Sequence, residues 1–237
     1  MREFVIGDIH GCGRSLVGVL GMVEPQPEDT VIFLGDYVDR GPDSAGVLDI
    51  VIDLTHSCKV VPLIGNHEKM MMLAQENDTA LKEWLGYGGR ATLESYEQPR
   101  LPLDLDLIPD EHWDFLYDGT VDCYETVDNI FAHASIDPQL TLAEQPEDLL
   151  FWAPFAIPTV HKSGKRLICG HAAQKTGLPA VFDHGLCIDT FAYGGGWLTC
   201  YSLTEQIFYQ YNERGMQRSF DLKTLVKNLG VLGVKEA

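Results

Sequence analysis

Three short apolar runs, residues 3–7, 30–35 and 59–64, are rich in Val, Ile and Phe and meet Gly and a polar residue at their ends. That is the pattern of a buried strand running into a loop. Between them, Leu16, Val19, Leu20 and Val23, and then Val47, Leu48, Val51, Ile52 and Leu54, recur at helical spacing. The order strand, helix, strand, helix, strand predicts parallel strands joined by crossover helices. Residues 67–97 read as helical and residues 98–110 as a Pro- and Asp-rich loop, with Pro109 opening a short helix to about Tyr117. A mostly helical insert at about 67–120 is therefore expected, placed to cap a site. Further along, 128–132, 166–169, 185–189, 197–203 and 206–211 alternate apolar with small or polar residues. They predict half-buried strands linked by Gly turns and forming a second sheet that faces the first. With helices on the outer faces, the expected fold class is α/β, a four-layer α/β/β/α sandwich. The segment 219–232 reads as a trailing helix or tail. No linker composition separates the halves, so residues 1–237 are expected to form one domain.

Composition narrows the function classes. Apolar residues make up 45% and charged residues 22% of the 237, an ordinary globular balance. The formal charge of −18 argues against a reader of phosphate backbones, which needs a basic stripe, so nucleic acid is not expected as a partner. No apolar stretch approaches bilayer-spanning length, and the first polar motif follows residue 6 directly, leaving no room for a signal peptide. A cytoplasmic protein without membrane contact is expected. The six cysteines, Cys12, Cys58, Cys123, Cys169, Cys187 and Cys200, show no C-x-x-C spacing, and reduced thiols are the natural reading.

The chemistry-bearing residues sit where the apolar runs end. Gly7-Asp8-Ile9-His10-Gly11, Gly35-Asp36-Tyr37-Val38-Asp39-Arg40-Gly41 and Gly65-Asn66-His67-Glu68 present Asp, His and Asn in Gly-containing loops. Asp8 to Asp36 is 28 residues and Asp36 to Asn66 is 30, each about one βαβ unit, so equivalent loops at the carboxyl ends of neighbouring strands converge on one crevice. Taken singly, each block is a turn whose Asx residue caps a helix. Three in order at crossover spacing are a stronger signal than any one. Together with Phe131-Ala132-His133-Ala134 and Cys169-Gly170-His171, they resemble the signature blocks of the phosphoprotein phosphatase family of calcineurin-like metallophosphoesterases, bacterial serine/threonine protein phosphatase type, over roughly residues 4–203.

That resemblance implies a dinuclear metal site. Asp8, His10 and Asp36 would hold one divalent ion, and Asp36, Asn66, His133 and His171 the other, with Asp36 bridging. Mixed imidazole, carboxylate and amide ligation suits manganese first, or iron, zinc or cobalt, better than an all-oxygen magnesium site. His67 would be the general acid, Asp39 the carboxylate that orients and charges it, and Arg40 a bidentate grip on phosphate oxygens. The implied activity is a phosphomonoesterase acting on phosphoproteins or small phosphoesters, by in-line attack of a metal-bridging hydroxide. Tyr193 is a candidate for the rim, and Asp189 for a partner to a ligating imidazole. His56, His112, His161 and His184 read as solvated and outside the site. Trp84, Tyr87, Tyr96 and Trp152 fit either a pocket rim or the core.

Two departures weaken the phosphoprotein reading. Positions where many family members carry arginine hold Ile64 and Pro154 here, and Arg90 is a candidate to compensate. The alternative within the same chemistry is a symmetrical dinucleoside polyphosphate (diadenosine tetraphosphate) hydrolase. An alternative of another class is a non-catalytic metal-binding or anion-sensing module. The sequence leaves the oligomeric state open.

Overall fold

The computed structural model describes residues 1–96, 104–154 and 156–229. Strands β1 (Glu3–Ile6), β2 (Thr30–Phe33) and β3 (Lys59–Pro62) pair in parallel, and α1 (Gly13–Val23) and α2 (Ser44–Thr55) are the crossovers between them. The helical insert follows as α3 (Asn66–Leu73), α4 (Asp78–Trp84), α5 (Arg90–Ser95) and α6 (Asp110–Asp114). The expected continuous helix over 67–97 is broken twice. Asn77 starts α4 afresh by accepting from the amides of Thr79 and Ala80 (3.1 and 3.0 Å), the usual action of an Asn N-cap. Gly88 then takes φ 132° inside a wide turn at Leu85–Gly89, a conformation open to Gly alone. Most of the expected loop before Pro109 lies outside the described residues.

The second half contributes β4 (Cys123–Glu125), β5 (Asn129–Ala132), α7 (Glu147–Trp152), β6 (Arg166–Cys169), β7 (Ala180–Phe182), β8 (Gly185–Cys187), β9 (Leu198–Ser202), β10 (Ile207–Tyr211), β11 (Gln217–Asp221) and α8 (Leu222–Leu229). One sheet has the order β11-β10-β9-β1-β2-β3 and the other β4-β5-β6-β8-β7. The expectation that all later strands build the second sheet is corrected here. β9 pairs antiparallel with β1, with Val5 opposite Tyr201, so β9 to β11 extend the first sheet. β4, β7 and β11 were not anticipated.

Alternation along the strands sorts the core into layers. Phe4, Ile6, Val31 and Phe33 face α1 and α2, while Val5, Ile32 and Leu34 face inward against Phe131, Ile168 and Leu186 of the other sheet. On the far side, Ile130, Ala132, Leu167 and Cys169 pack under Leu150 and Phe151 of α7. A period of two thus gives the four layers, helix, sheet, sheet, helix. All six cysteines are free, and no helix among the described residues is long and apolar enough to cross a membrane.

Candidate active site

Six strand ends meet at one edge of the sandwich. β1 delivers Asp8 and His10, β2 Asp36, Asp39 and Arg40, and β3 Asn66 and His67. β5, β6 and β8 deliver His133, His171 and Asp189. The loops are held tightly enough to strain the backbone: His10, Asp36, Asp39, Arg40 and His171 all have φ between 48° and 73°. Among the described residues, five of the eight non-Gly residues with positive φ are therefore sequence candidates. Strain of this kind, at about 1–3 kcal/mol per residue, gathers where function requires it. Gly170 has no room for a side chain, because a Cβ there would collide with the Asp8 carboxylate.

Glu68, to which sequence reasoning assigned no role, ties the loops together. Its buried carboxylate accepts from the amides of Asp36 (2.9 Å), Tyr37 (2.8 Å), Val38 (3.1 Å) and Gly65 (2.9 Å). The signal was present in its position, the third residue of a helix, from which a Glu reaches back to the helix start.

The imidazoles are oriented from behind. His10 Nδ1 donates to the Val38 carbonyl (2.9 Å) and His133 Nδ1 to the Leu34 carbonyl (2.7 Å), which leaves the Nε2 lone pairs facing the crevice. Arg40 Nη1 donates to His10 Nε2 (2.9 Å). Asp36 lies between the rings, with Oδ2 at 3.3 Å from His10 Nε2 and Oδ1 at 3.5 Å from His133 Nε2. Two groups of possible metal donors result, His10 with Asp36 and His67, and Asp36 with His133 and His171, each with atoms within 4.8 Å of one another. Asp36 is common to both. Asn66 Oδ1 is 2.9 Å from His133 Nε2 and 3.1 Å from His171 Nδ1. Asp8 stands outside both groups, its two oxygens accepting from the His171 amide (3.1 and 2.9 Å).

This donor set fits divalent cations. An Nε2 lone pair and the Asn66 carbonyl oxygen are both acceptors, and a cation reconciles their close approach. Ligands bound at about 2.1 Å and at right angles lie about 3 Å apart, the spacing seen here. Burial lowers His10 to about 3 and, with help from His133, His171 to about 4; it lowers His133 as well. These rings are neutral at neutral pH, as ligation requires. Burial works against the Asp36 carboxylate, but His133, His67 and His10 outweigh it and hold Asp36 below the usual range. Burial, then Asp189 and Asp36, push the Asp8 carboxyl well up, the mark of crowded carboxylates that a cation would relieve.

His67 is different. Its Nδ1 is 2.6 Å from Asp39 Oδ2. Burial acts to lower this imidazole, but Asp36 and Asp39 more than offset it and the net direction is upward. Asp39 is itself held by the Trp84 indole N–H (3.0 Å to each oxygen) and the Thr92 hydroxyl (2.7 Å). Neither residue was singled out as supporting Asp39.

Several expectations are corrected. Asp189 faces Asp8 rather than an imidazole, and accepts from the Phe191 amide (2.9 Å). His112 and His161 are buried rather than solvated. His112 lies between the Tyr96 hydroxyl (2.6 Å) and Asp49 (2.9 Å), and His161 between Ser163 Oγ (2.7 Å) and the Leu140 carbonyl (2.8 Å). His56 and His184 are exposed. Ile64 is buried under α7, so that position cannot offer a charge to the crevice, and Pro154 is exposed. Arg90 is exposed at the start of α5. Tyr193 does stand at the rim, with the Arg40 guanidinium 4.6 Å above its ring and His10 edge-on at 4.9 Å.

A family model described as calcineurin-like phosphoesterase matches residues 1–200. A symmetrical bis(5'-nucleosyl)-tetraphosphatase of Salmonella arizonae is 45% identical over 69 residues, 29% of this chain and 24% of the relative. The chain spans only about a quarter to a third of the curated relatives it matches. Among solved structures, one described as a candidate diadenosine tetraphosphatase superposes with a TM-score of 0.63 at 21% identity, covering 92% of both chains. A cold-active protein-tyrosine phosphatase of a Shewanella species superposes at 0.64 with 15% identity, covering 92% of this chain and 80% of that one. At these identities the two likenesses speak of the fold.

Proposed function

The chain belongs to the calcineurin-like phosphoesterase family, hydrolases of phosphoester bonds, and from that premise we propose that it cleaves dinucleoside polyphosphates symmetrically. The observation that supports the chemistry is Asp36 common to one group with His10 and His67 and another with His133 and His171, with Asp39 2.6 Å from His67 Nδ1 to orient that ring as the acid. In this reading Asp8, His10 and Asp36 hold one divalent ion, and Asp36, Asn66, His133 and His171 hold the second. When bound, the pair neutralises phosphate charge and supplies an ionised water at neutral pH. Manganese, iron, zinc and cobalt all suit the donor set.

The protein's own groups do the rest. Arg40, exposed at the mouth and braced on Tyr193, grips phosphate oxygens. His67 hands its Nε2 proton to the departing oxygen while Asp39 keeps Nδ1 protonated and stabilises the imidazolium. Glu68 and the strained loops keep these groups in position before substrate arrives.

The dinucleotide as substrate is supported by the activity named for the relatives at 34% and 45% identity. The Ile64 and Pro154 replacements thin the grip on which a phosphoprotein would depend. The phosphoprotein alternative rests on the motif resemblance and on fold likeness, which protein phosphatases share with other phosphoesterases. The test is to compare turnover of diadenosine tetraphosphate, a phosphoserine peptide and a phosphotyrosine peptide by metal-loaded protein. The expected result is preference for the dinucleotide, with ADP the sole nucleotide product. A marked preference for either peptide, or AMP and ATP as products, would overturn it.

A further inference from the structure

Beside the acid, the helical insert and the end of α7 enclose an apolar cleft that no step of the hydrolysis uses. Met70, Leu73 and Ala80 give it an aliphatic lining, Tyr87 and Trp152 an aromatic one, and Glu83 a carboxylate. Its volume is about 260 Å³, short of the roughly 300 Å³ at which pockets for whole drug-sized ligands begin. The space suits a single heterocycle. Tyr87 is 63% and Trp152 44% exposed. Single exposed aromatics are ordinary, but two open π surfaces on the same small cleft are not.

The cleft shares a wall with the phosphate site. Trp84 also lines it, and its indole N–H is the group that holds Asp39. Met70 and Leu73 follow Asn66 by one and two turns of α3, so the cleft runs from about 6 to about 10 Å along the helix from that residue. Tyr87 precedes Gly88, whose carbonyl accepts from the Arg40 amide (3.3 Å). Tyr87 and Arg40 are thus tied to one another through the backbone at Gly88.

Resting on the dinucleotide reading above, we propose that this cleft is a nucleobase subsite, in which Tyr87 and Trp152 stack one base of the dinucleotide. Aromatic faces bind any base by stacking. The Glu83 carboxylate makes no hydrogen bond or ion pair among the described residues, and is an acceptor for an exocyclic amine such as adenine N6. The same charge repels phosphate, so the nucleotide enters with its base in the cleft and its phosphates toward Arg40.

The experiment uses the metal-loaded protein and glycerol 2-phosphate, an ester with no ring to stack, with ADP and inorganic diphosphate as inhibitors. ADP is expected to inhibit more tightly than diphosphate. Tyr87→Ala and Trp152→Ala should each weaken ADP inhibition by about 5- to 150-fold, the worth of one base stack. Inhibition by diphosphate and turnover of the ester should stay unchanged, and Tyr87→Phe and Trp152→Phe should keep the ADP affinity. Equal inhibition by ADP and diphosphate would overturn the subsite, as would variants that weaken both alike. Cleavage of diadenosine tetraphosphate by the unaltered protein is scored separately. Its absence alongside tight, Tyr87-dependent ADP inhibition would sink the dinucleotide reading and leave the nucleobase subsite standing.

Discussion

Asp39 is fully buried and takes hydrogen bonds from His67, Trp84 and Thr92 together, so its carboxylate is fixed on three sides and the His67 ring has one orientation. Replacing the acid, His67→Asn, is expected to lower kcat by about 10²–10⁴-fold with metal content intact. The loss should be greatest for esters with a poor leaving group such as a serine alkoxide, and smaller for p-nitrophenyl phosphate, whose phenolate needs less help; equal losses would show that His67 does not protonate the leaving oxygen. Asp39→Asn should cost about 10- to 100-fold, as loss of an orienting partner usually does, and Trp84→Phe less, because two of the three donors remain. The residues at the strand ends were legible because each stands in a short loop directly after an apolar run. Trp84 and Thr92 were not, since they reach Asp39 from 45 and 53 residues away, and Trp84 fits a pocket rim or the core equally well by its spacing.

Two elements are locked by single buried carboxylates. Asp29, just before β2, accepts from the Arg2 amide (2.6 Å), the Arg2 side chain (3.0 and 2.7 Å) and the Gln26 amide (3.0 Å). Arg2 also donates to the carbonyls of Val23 and Glu24 at the end of α1. Burial works to raise Asp29, but these hydrogen bonds prevail and hold it at about 2, below the unfolded value of about 3.9. A depressed carboxylate stabilises the fold fully above its unfolded pKa and ceases to do so as pH falls through its folded pKa. Asp29→Asn should therefore lower Tm by a few degrees at pH 7, and the gap to the unaltered protein should close between about pH 4 and pH 2; a gap independent of pH would remove this account. At Glu68 the expected effect is on the site. Glu68→Gln turns one of the two oxygens that accept from four amides into an NH₂ donor, and should weaken metal affinity by about 10- to 100-fold in a metal titration, by analogy with other groups that support ligands from behind. Element boundaries were legible for the buried central strands. β4 and β7 have three residues each, too few to show a period, and β11 is a largely exposed edge with Arg218 and Asp221 on it, where no apolar face marks a strand.

On the scale of the molecule, alternating polarity predicted the four layers correctly but not the division of strands between sheets. β9 lies 196 residues of chain from β1 by its pairing of Tyr201 with Val5, and a strand's face pattern carries no mark of which edge it joins. The crossover spacing, by contrast, brought the first three motifs to one edge, and β5 and β6 in parallel bring His133 and His171 to meet them. On the proposed reading this meeting point holds two divalent ions that serve phosphoester hydrolysis. Asp36→Asn is expected to empty both positions at once, since Asp36 belongs to both donor groups. The most direct measurement is turnover of p-nitrophenyl phosphate by metal-stripped protein as manganese is added, with bound metal quantified in parallel. No turnover is expected from the stripped protein, with recovery that saturates at about two ions per chain. Full turnover by the stripped protein, or two bound ions with no turnover, would contradict it.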